Sequence, residues 1–193
     1  MYTLVGTPRT RSFRVLWFLH ELGVPFTHVS APPQSELALA HNPAGKVPAL
    51  IEGAATITDS TAILTYLADK HGQFTAPAGT MARAQQDSMT QFLLDECDAI
   101  LWTAARHSFV LPQEMRLPAI KDSLRWEYAR SLRRLSSRFL GRYVMGEVFS
   151  VPDIIATHCL GWGVSAGFAA PEGALAAYYD AMRARPAYIA AQS

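Results

Sequence analysis

The stretch NPAGKVPAL, from Asn42 to Leu50, decides the fold of this chain, and TDSTAILTYL, from Thr58 to Leu67, comes soon after it. Pro48 stands where an apolar strand should begin, and proline is tolerated there because it has no N–H to give to a sheet. The backbone N–H and C=O of Val47 are therefore free to pair with an extended chain laid alongside, such as a short peptide.

Asp59 and Ser60 place a carboxylate and a hydroxyl at the start of the helix predicted in the second stretch. The first N–H groups of a helix have no partner within it and carry partial positive charge, so an anionic group is favoured there. Together with the free backbone of Val47, these residues predict a cradle for a short peptide that carries both an amine and a carboxylate.

This pairing resembles the amino-terminal, thioredoxin-like domain of cytosolic glutathione transferases of bacterial type. The opening TPRTRSFRVLWFLHELGVPF resembles the first loop and helix of that family, SVPDIIATHC resembles the capping box of its sixth helix, and the ending RARPAY is also similar. The resemblance implies that Pro48 is a cis proline and that Val47 pairs with the cysteinyl backbone of glutathione. It also implies that Asp59 and Ser60 hold the γ-glutamyl end.

The order of predicted elements is β-α-β-loop-β-β-α, which is typical of a small α/β domain with one parallel crossover. Composition changes at GQFTAPAGT, and the sequence after it is helical in pattern. We expect a thioredoxin-like α/β domain over residues 1–74, a linker over 75–81 and an all-α helical domain over 82–193. A capping box at Ser150 and Asp153 is interpreted as structural, without a catalytic role.

Composition limits the classes of partner. The 17 basic and 16 acidic residues give a formal net charge of +1, so nothing favours nucleic acid or an anionic membrane. The amino-terminal residues lack a basic start followed by an apolar core, so no secretory signal is predicted. The uncharged run from Ile154 to Ala170 contains polar side chains and three glycines, so it is interpreted as a buried helix and its exit. We expect a soluble, cytoplasmic protein with no membrane partner.

A glutathione transferase must keep the thiol of glutathione ionised, since the thiolate is the nucleophile. One well-placed hydroxyl above the first helix nearly suffices for this. The candidates are Thr7, Thr10 and Ser12. Aligning the helix with the family puts Thr10 where many members carry the activating serine, and Ser12 is the next alternative. Threonine departs from that pattern, and its β-branch restricts its rotamers. Thr10 could instead only cap the helix.

The glycine carboxylate of glutathione would need a cation or an amide donor. Lys46 and His41 are the nearest in sequence, and Arg9 or Arg11 are alternatives. The second substrate is expected between the domains, against the helical one. Aromatic and sulfur side chains suit a hydrophobic small-molecule electrophile. The residues that fall there are Trp102, Arg106, His107, Phe109 and Met115, each of which could equally be core.

The two cysteines, Cys97 and Cys159, have no CxxC or metal-binding spacing, and they are interpreted as buried thiols. The histidines show no ligand spacing, so we expect no metal. The loop from Thr7 to Arg14 contains no cysteine. A thiol-disulfide oxidoreductase with its own cysteine there is therefore excluded, and any redox role must use the thiol of glutathione.

The resemblance implies a glutathione S-transferase that conjugates glutathione to electrophiles, as in detoxification, or runs a glutathione-dependent reduction. Two alternatives remain: a noncatalytic binding or regulatory protein on the same fold, and a glutathione-dependent isomerase. The family also implies a homodimer with an isologous interface. The helix from Ala82 to Arg106 is the predicted surface, through Met89, Phe92 and Leu93 and the acids Asp95, Glu96 and Asp98. The alternative is that its apolar face packs wholly within one chain.

Overall fold

The structure is a computed structural model that describes residues 1–139 and 141–192. These residues form two compact units. The first comprises Met1–Ala78 and the chain from Met182 onward, and the second comprises Gly79–Ala181. The first unit is α/β and the second is helical, which confirms the predicted fold class. The sequence predicts one helical domain over 82–193, whereas the last residues group with the first unit.

The first unit is built on a four-stranded mixed sheet. Its elements are β1 (Tyr2–Val5), α1 (Ser12–Leu22), β2 (Phe26–Val29), α2 (Glu36–His41), β3 (Ala49–Glu52), β4 (Ala55–Thr58) and α3 (Ser60–His71). The strand order is β2-β1-β3-β4. β1 runs parallel to β2 and antiparallel to β3, and β3 runs antiparallel to β4. This arrangement has the single parallel crossover that the sequence predicts.

Helix α1 forms the centre of this unit because it packs on β1 and on α3. Val15, Trp17 and Leu19 have no exposed surface, so apolar side chains on several sides of the helix are covered. The helix ends at Gly23, whose φ of 64° lies in the left-handed region that glycine adopts without strain. The sequence predicts this ending correctly.

The segment after Arg183 returns to α1 and forms the short helix α9 (Pro186–Ala190). The ring of Tyr188 meets that of Trp17 edge to face, with centroids 5.0 Å apart. Arg185 donates two hydrogen bonds to Glu21 at 2.6 and 2.7 Å, and the indole N–H of Trp17 donates to the same carboxylate at 2.7 Å. These contacts attach the carboxyl-terminal segment to the first unit.

The second unit is helical. Its helices are α4 (Met81–Leu93), α5 (Ala99–Ala105), α6 (Ile120–Arg138), α7 (Val151–Ser165) and α8 (Gly173–Arg183). Two π-helical turns, Leu94–Asp98 and Arg106–Val110, come directly after α4 and α5, and a 3-10 turn spans Gln113–Met115. The sequence predicts one uninterrupted helix from Ala82 to Arg106, so the first π-helical turn is a departure from that expectation.

The predicted dimer surface on this helix is wrong in its apolar part. Met89, Phe92 and Leu93 are 3%, 9% and 0% exposed within a single chain. The guanidinium of Arg138 lies 4.7 Å from the ring of Phe92 and helps to cover it. Side chains already buried within one chain cannot supply an interface to a second copy.

The capping box at the start of α7 is confirmed. The backbone N–H of Ser150 donates to Oδ2 of Asp153 at 2.8 Å, and that of Val144 donates to Oδ1 at 2.9 Å. The hydroxyl of Tyr178 donates to Oδ1 as well, at 3.0 Å. Asp153 has no exposed surface, so its role is to satisfy buried donors and to start the helix.

Among the described residues, no helix combines the length and the apolar character that crossing a membrane requires.

Candidate functional site

The end of the loop after β1 and the first residue of α1 carry the two hydroxyls that the sequence proposes as thiol activators. The Oγ1 of Thr10 lies 2.8 Å from the carbonyl oxygen of Thr7 and 3.0 Å from the Oγ of Ser12, and it accepts the Ser12 N–H at 3.2 Å. Thr10 is half-buried, whereas Ser12 has no exposed surface. Of the two hydroxyls, that of Thr10 is the one a bound thiol can approach.

Gly6 makes this packing possible, although its role is not evident from the sequence. A Cβ on Gly6 would lie 2.0 Å from Oγ of Ser12 and 3.3 Å from Cβ of Val47, and the φ of Gly6 is +149°. Any side chain here would therefore push apart the start of α1 and the segment before Pro48. The signal in the sequence is a glycine directly after an apolar strand, which by itself is too common to be informative.

The peptide bond between Val47 and Pro48 is cis, as the resemblance implies. Pro48 is buried and directly precedes β3, so Val47 lies just outside the ladders that β3 forms with its neighbours. No hydrogen bond to the N–H or C=O of Val47 is found in residues 1–139 or 141–192. These groups are available to an extended peptide, as predicted.

The turn that leads to Val47 is held by residues that the sequence does not mark out. Gln34 adopts a φ of 66°. Its N–H donates to the carbonyl of Gly45 at 2.8 Å, and its side-chain amide donates to that of Ala44 at 2.9 Å. The side-chain amide of Asn42 donates to the carbonyl of Lys46 at 3.0 Å. Gly45 has a φ of +62°, and a Cβ there would meet the Gln34 side chain at 2.6 Å.

At the start of α3, the two carboxylate oxygens of Asp59 have different surroundings. Its Oδ1 accepts the N–H groups of Thr61 and Ala62 at 2.8 and 3.1 Å, so this oxygen caps the helix. No described residue binds Oδ2, and the side chain is exposed. Because the cap uses the amides of Thr61 and Ala62, an incoming carboxylate would meet the amide and hydroxyl of Ser60 instead.

Ser60 is linked to α1 through a buried cation. Arg14 has no exposed surface, and its Nη1 donates to Oγ of Ser60 at 3.4 Å, a long hydrogen bond. Arginine is rarely buried this completely. The sequence could have indicated this burial, because the arginine stands inside the apolar run SFRVLWFL. The guanidinium brings positive charge close to the residue predicted to hold a carboxylate.

The predicted partners of the glycine carboxylate remain predictions. His41 is the last residue of α2 and is half-buried, and Lys46 is exposed in the turn before Pro48. Within the described part of the chain, neither side chain has a hydrogen-bond or ion-pair partner. Both are free to contact a ligand.

The residues predicted for the second substrate lie close together in the chain, on α5 and the π-helical turn after it. Trp102 is half-buried. Arg106 donates to the hydroxyl of Thr103 at 3.0 Å, and Nδ1 of His107 accepts the N–H of Leu117 at 3.1 Å. Phe109 is 68% exposed. Arg106 and His107 are thus engaged in local hydrogen bonds, and the fifth residue, Met115, lies further along on the 3-10 turn and is 62% exposed.

A pocket of about 190 Å³ opens in the helical unit beside Phe109. Its walls are apolar apart from Ser108 and two cations, Lys121 and Arg125. The lining residues are Leu101, Ala104, Ala105, Ser108, Phe109, Lys121, Arg125, Trp162, Ala166 and Phe168. Of the five residues predicted from the sequence, Phe109 lies in this described lining and the other four do not.

Comparison with known proteins supports the resemblance. Residues 5–75 match the family model described as the glutathione S-transferase N-terminal domain. A comparison with curated proteins finds no match.

Solved structures extend the likeness over the full chain. A sphingomonad glutathione S-transferase complexed with glutathione is 28% identical, with a TM-score of 0.83 and coverage of 98% of this chain and 96% of that one. A glutathione transferase from Methylococcus capsulatus is 26% identical, with a TM-score of 0.84 and coverage of 100% and 97%. A family member from Pseudomonas fluorescens with two glutathione bound is 23% identical (TM-score 0.81, coverage 99% and 92%) and is evidence of the fold alone.

Proposed function

Since residues 5–75 match the model of the glutathione S-transferase N-terminal domain and the whole chain is similar in fold to solved glutathione transferases, we propose that this protein is a glutathione transferase. It binds glutathione on the first unit and keeps the bound thiol ionised. The thiolate then attacks a hydrophobic electrophile or serves a glutathione-dependent reduction.

The observation that carries this proposal is the free backbone of Val47, with the charged start of α3 in the same unit. An extended peptide can pair with the N–H and C=O of Val47 in the manner of an added strand. Oδ2 of Asp59 takes the γ-glutamyl amine, and the amide and hydroxyl of Ser60 take its carboxylate. The buried guanidinium of Arg14 lowers the cost of placing that carboxylate beside Ser60.

The energetics of thiol activation are consistent with a single hydroxyl donor. Lowering a thiol pKa by about two units requires roughly 2.7 kcal/mol. One hydrogen bond to a charged acceptor supplies about 1.5–3 kcal/mol, and a helix N-terminus adds roughly 0.3–1 kcal/mol. Thr10 supplies the hydroxyl, and the first amides of α1 assist.

One observation favours a second candidate, a noncatalytic glutathione-binding protein. The Thr10 hydroxyl already has an acceptor in the carbonyl of Thr7 at 2.8 Å. To reach the sulfur it must give up this bond, which reduces the net stabilisation of the thiolate. A weakly activated thiol would leave binding intact and turnover slow.

One experiment separates the candidates. The protein is passed over glutathione-agarose, and turnover of a generic aromatic electrophile is measured with free glutathione. Retention with turnover supports the transferase. Retention without turnover supports the noncatalytic protein, and failure to bind glutathione in a calorimetric titration overturns both.

The hydrophobic substrate is proposed to contact the exposed ring of Phe109 and the pocket beside it. Lys121 and Arg125 on the lining favour an aromatic electrophile that carries a negatively charged substituent. Phe109→Ala should raise KM for such a substrate and leave glutathione affinity unchanged. An unchanged KM would exclude this placement.

A further inference from the structure

The second unit brings together three side chains of the kind that bind transition metals. A carboxylate oxygen of Asp98, a ring nitrogen of His158 and the sulfur of Cys159 all lie within 4.8 Å of one another. Asp98 and Cys159 are 6% and 2% exposed, and His158 is half-buried. None of these residues has a part in the proposed glutathione chemistry.

The π-helical turn Leu94–Asp98 accounts for the position of Asp98. Its closing bond runs from the N–H of Ala99 to the carbonyl of Leu94, five residues back, so the turn holds one residue more than a regular α-helix. One extra residue rotates the next part of the helix by about 100° around the helix axis. With this π-helical turn in place, Asp98 faces α7, and its Oδ2 lies 4.0 Å from the sulfur of Cys159.

We propose that Asp98, His158 and Cys159 form a three-ligand binding site for a divalent transition metal ion of the Zn²⁺ type. Sulfur and imidazole nitrogen are donors that Zn²⁺ prefers, and carboxylate oxygen is accepted. Mg²⁺ and Ca²⁺ are disfavoured because they require oxygen donors. Three protein ligands leave a fourth tetrahedral position for water or for an external ligand.

The donor distances fit such a site after a small closure. Zn–S and Zn–N bonds of about 2.3 and 2.0 Å place tetrahedral donors roughly 3.5 Å apart. The observed separations are all within 4.8 Å, so side-chain movements of about an ångström would complete the coordination. Since His158 is half-buried, its side of the cluster offers the ion a route from solvent.

Binding requires a proton to leave. The S–H of Cys159 donates to Oδ2 of Asp98 at 4.0 Å. When the S–Zn bond forms, the S–H bond breaks and the proton passes to solvent, while His158 binds through a neutral imidazole nitrogen. Metal affinity must therefore rise with pH.

The sequence does not reveal this site because its members lack a motif. His158 and Cys159 are adjacent, and Asp98 lies far from them in the chain. Only the packing of the π-helical turn against α7 joins them. The expectation of no metal rests on spacing, which cannot detect such a set.

The test uses Zn²⁺ and Co²⁺ as probes on the full chain after chelator treatment and dialysis. Competition with a chromophoric chelator should give one Zn²⁺ per chain, bound more tightly at pH 8 than at pH 6. Co²⁺ should produce a thiolate-to-metal charge-transfer band in the near ultraviolet. Cys159→Ser should abolish the band, and Cys159→Ser, Asp98→Asn and His158→Gln should each weaken Zn²⁺ binding at least tenfold.

Cys97→Ser is the matched control. Cys97 is the other buried thiol and is not one of the three clustered donors, so this variant should keep both the stoichiometry and the band. A wild type that binds no more Zn²⁺ than Cys159→Ser, or a band lost in Cys97→Ser and retained in Cys159→Ser, would overturn the proposal. If the Cys159 variant does not fold, the decision rests on the band and on metal-dependent proton release in the wild type. These readouts are independent of glutathione binding and turnover.

Discussion

The hydroxyl oxygens of Thr10 and Ser12 lie 3.0 Å apart where the loop after β1 meets the start of α1. Ser12 is buried beneath Thr10 and beside Gly6, while the Thr10 side chain reaches the surface of the unit. We therefore propose different roles for the two residues. Thr10 can donate to a bound thiolate, and Ser12 holds the Thr10 oxygen in place through its N–H and its hydroxyl.

Thr10→Ala should raise the pKa of the glutathione thiol in the complex by about one to two units, because one hydrogen bond to the sulfur is lost. Turnover near neutral pH should fall roughly ten- to a hundredfold, and Thr10→Ser should retain most of it. Thiolate absorbance recorded against pH measures the shift directly.

Ser12→Ala is the control for that prediction, and its effect on the thiol pKa should be smaller because its hydroxyl acts through Thr10. If Ser12→Ala shifts the pKa more than Thr10→Ala does, the loop rearranges on binding and Ser12 is the activator. If neither variant shifts it, the backbone amides alone ionise the thiol.

Asp59→Asn separates helix capping from ligand binding. Asparagine caps helices as well as aspartate does and tolerates positive φ, so thermal stability should change little. Glutathione binding should weaken by roughly 1–3 kcal/mol, because a charge-assisted bond to the amine is lost. Ser60→Ala should weaken glutathione binding by a similar amount, because the hydroxyl that binds the γ-glutamyl carboxylate is lost. Calorimetric titration measures both, with Thr56→Ala on β4 as an exposed control, and unchanged affinity in both variants would exclude this assignment.

Arg185→Gln should destabilise the first unit. It leaves Glu21, whose side chain is 8% exposed, without its bidentate partner. Loss of one member of a buried pair costs roughly 3–5 kcal/mol, and the partial exposure of Arg185 reduces this to about 2–3 kcal/mol. Urea denaturation followed by tryptophan fluorescence measures the loss. Arg133→Gln, at an exposed position on α6, should stay within about 0.5 kcal/mol, and an equal effect of the two variants would contradict the prediction.

Asp153 should make stability depend on pH. Burial raises its pKa from 3.8 to about 6, against the hydrogen bonds from Val144 and Ser150 that oppose the rise. Between these values the folded chain holds a proton that the unfolded chain has lost. The contribution of Asp153 is therefore full below pH 4 and is lost as the pH rises through 6.

The size of this effect is set by the pKa shift, which corresponds to roughly 2–3 kcal/mol. Asp153→Asn removes the titration, so the stability advantage of the wild type over this variant should shrink by that amount from pH 4 to pH 7. Urea midpoints at four pH values provide the comparison. If the stability of the wild type and that of Asp153→Asn change in parallel across this pH range, Asp153 keeps an ordinary pKa.

We expect light scattering at micromolar concentration to give a mass of twice 21.2 kDa. With Met89, Phe92 and Leu93 buried within the chain, other apolar side chains must form the interface. Met81 and Val148 are exposed by 75% and 73% and are the first candidates. A mass of one chain would reject the homodimer.

Features of the fold that depend on neighbouring residues could be predicted from the sequence. Gly23 ends α1, Pro48 precedes β3 and Ser150 starts α7, because each of these signals acts within a few residues. The position of Asp59 and Ser60 at the start of α3 is predicted in the same way.

Contacts between distant residues could not be predicted. The N–H of Gln34 donates to the carbonyl of Gly45, and the side chain of Arg14 donates to Ser60, 46 positions further along the chain. Each pair meets because the tertiary fold brings its two residues together. The burial of Met89 likewise depends on which helices cover α4, and an apolar stripe has the same pattern whether its partner is the same chain or another copy. The π-helical turns leave no mark in the hydrophobic period that distinguishes them from α-helix.

The return of the carboxyl-terminal segment to α1 has a consequence for biosynthesis. Trp17 and Glu21 are made early, but Tyr188 and Arg185, which cover and neutralise them, leave the ribosome only after the whole helical unit has been made. Until then the nascent first unit exposes an aromatic surface and an unpaired carboxylate. It is therefore a candidate for chaperone binding during translation, and a chain that stalls before Arg185 would keep this surface uncovered.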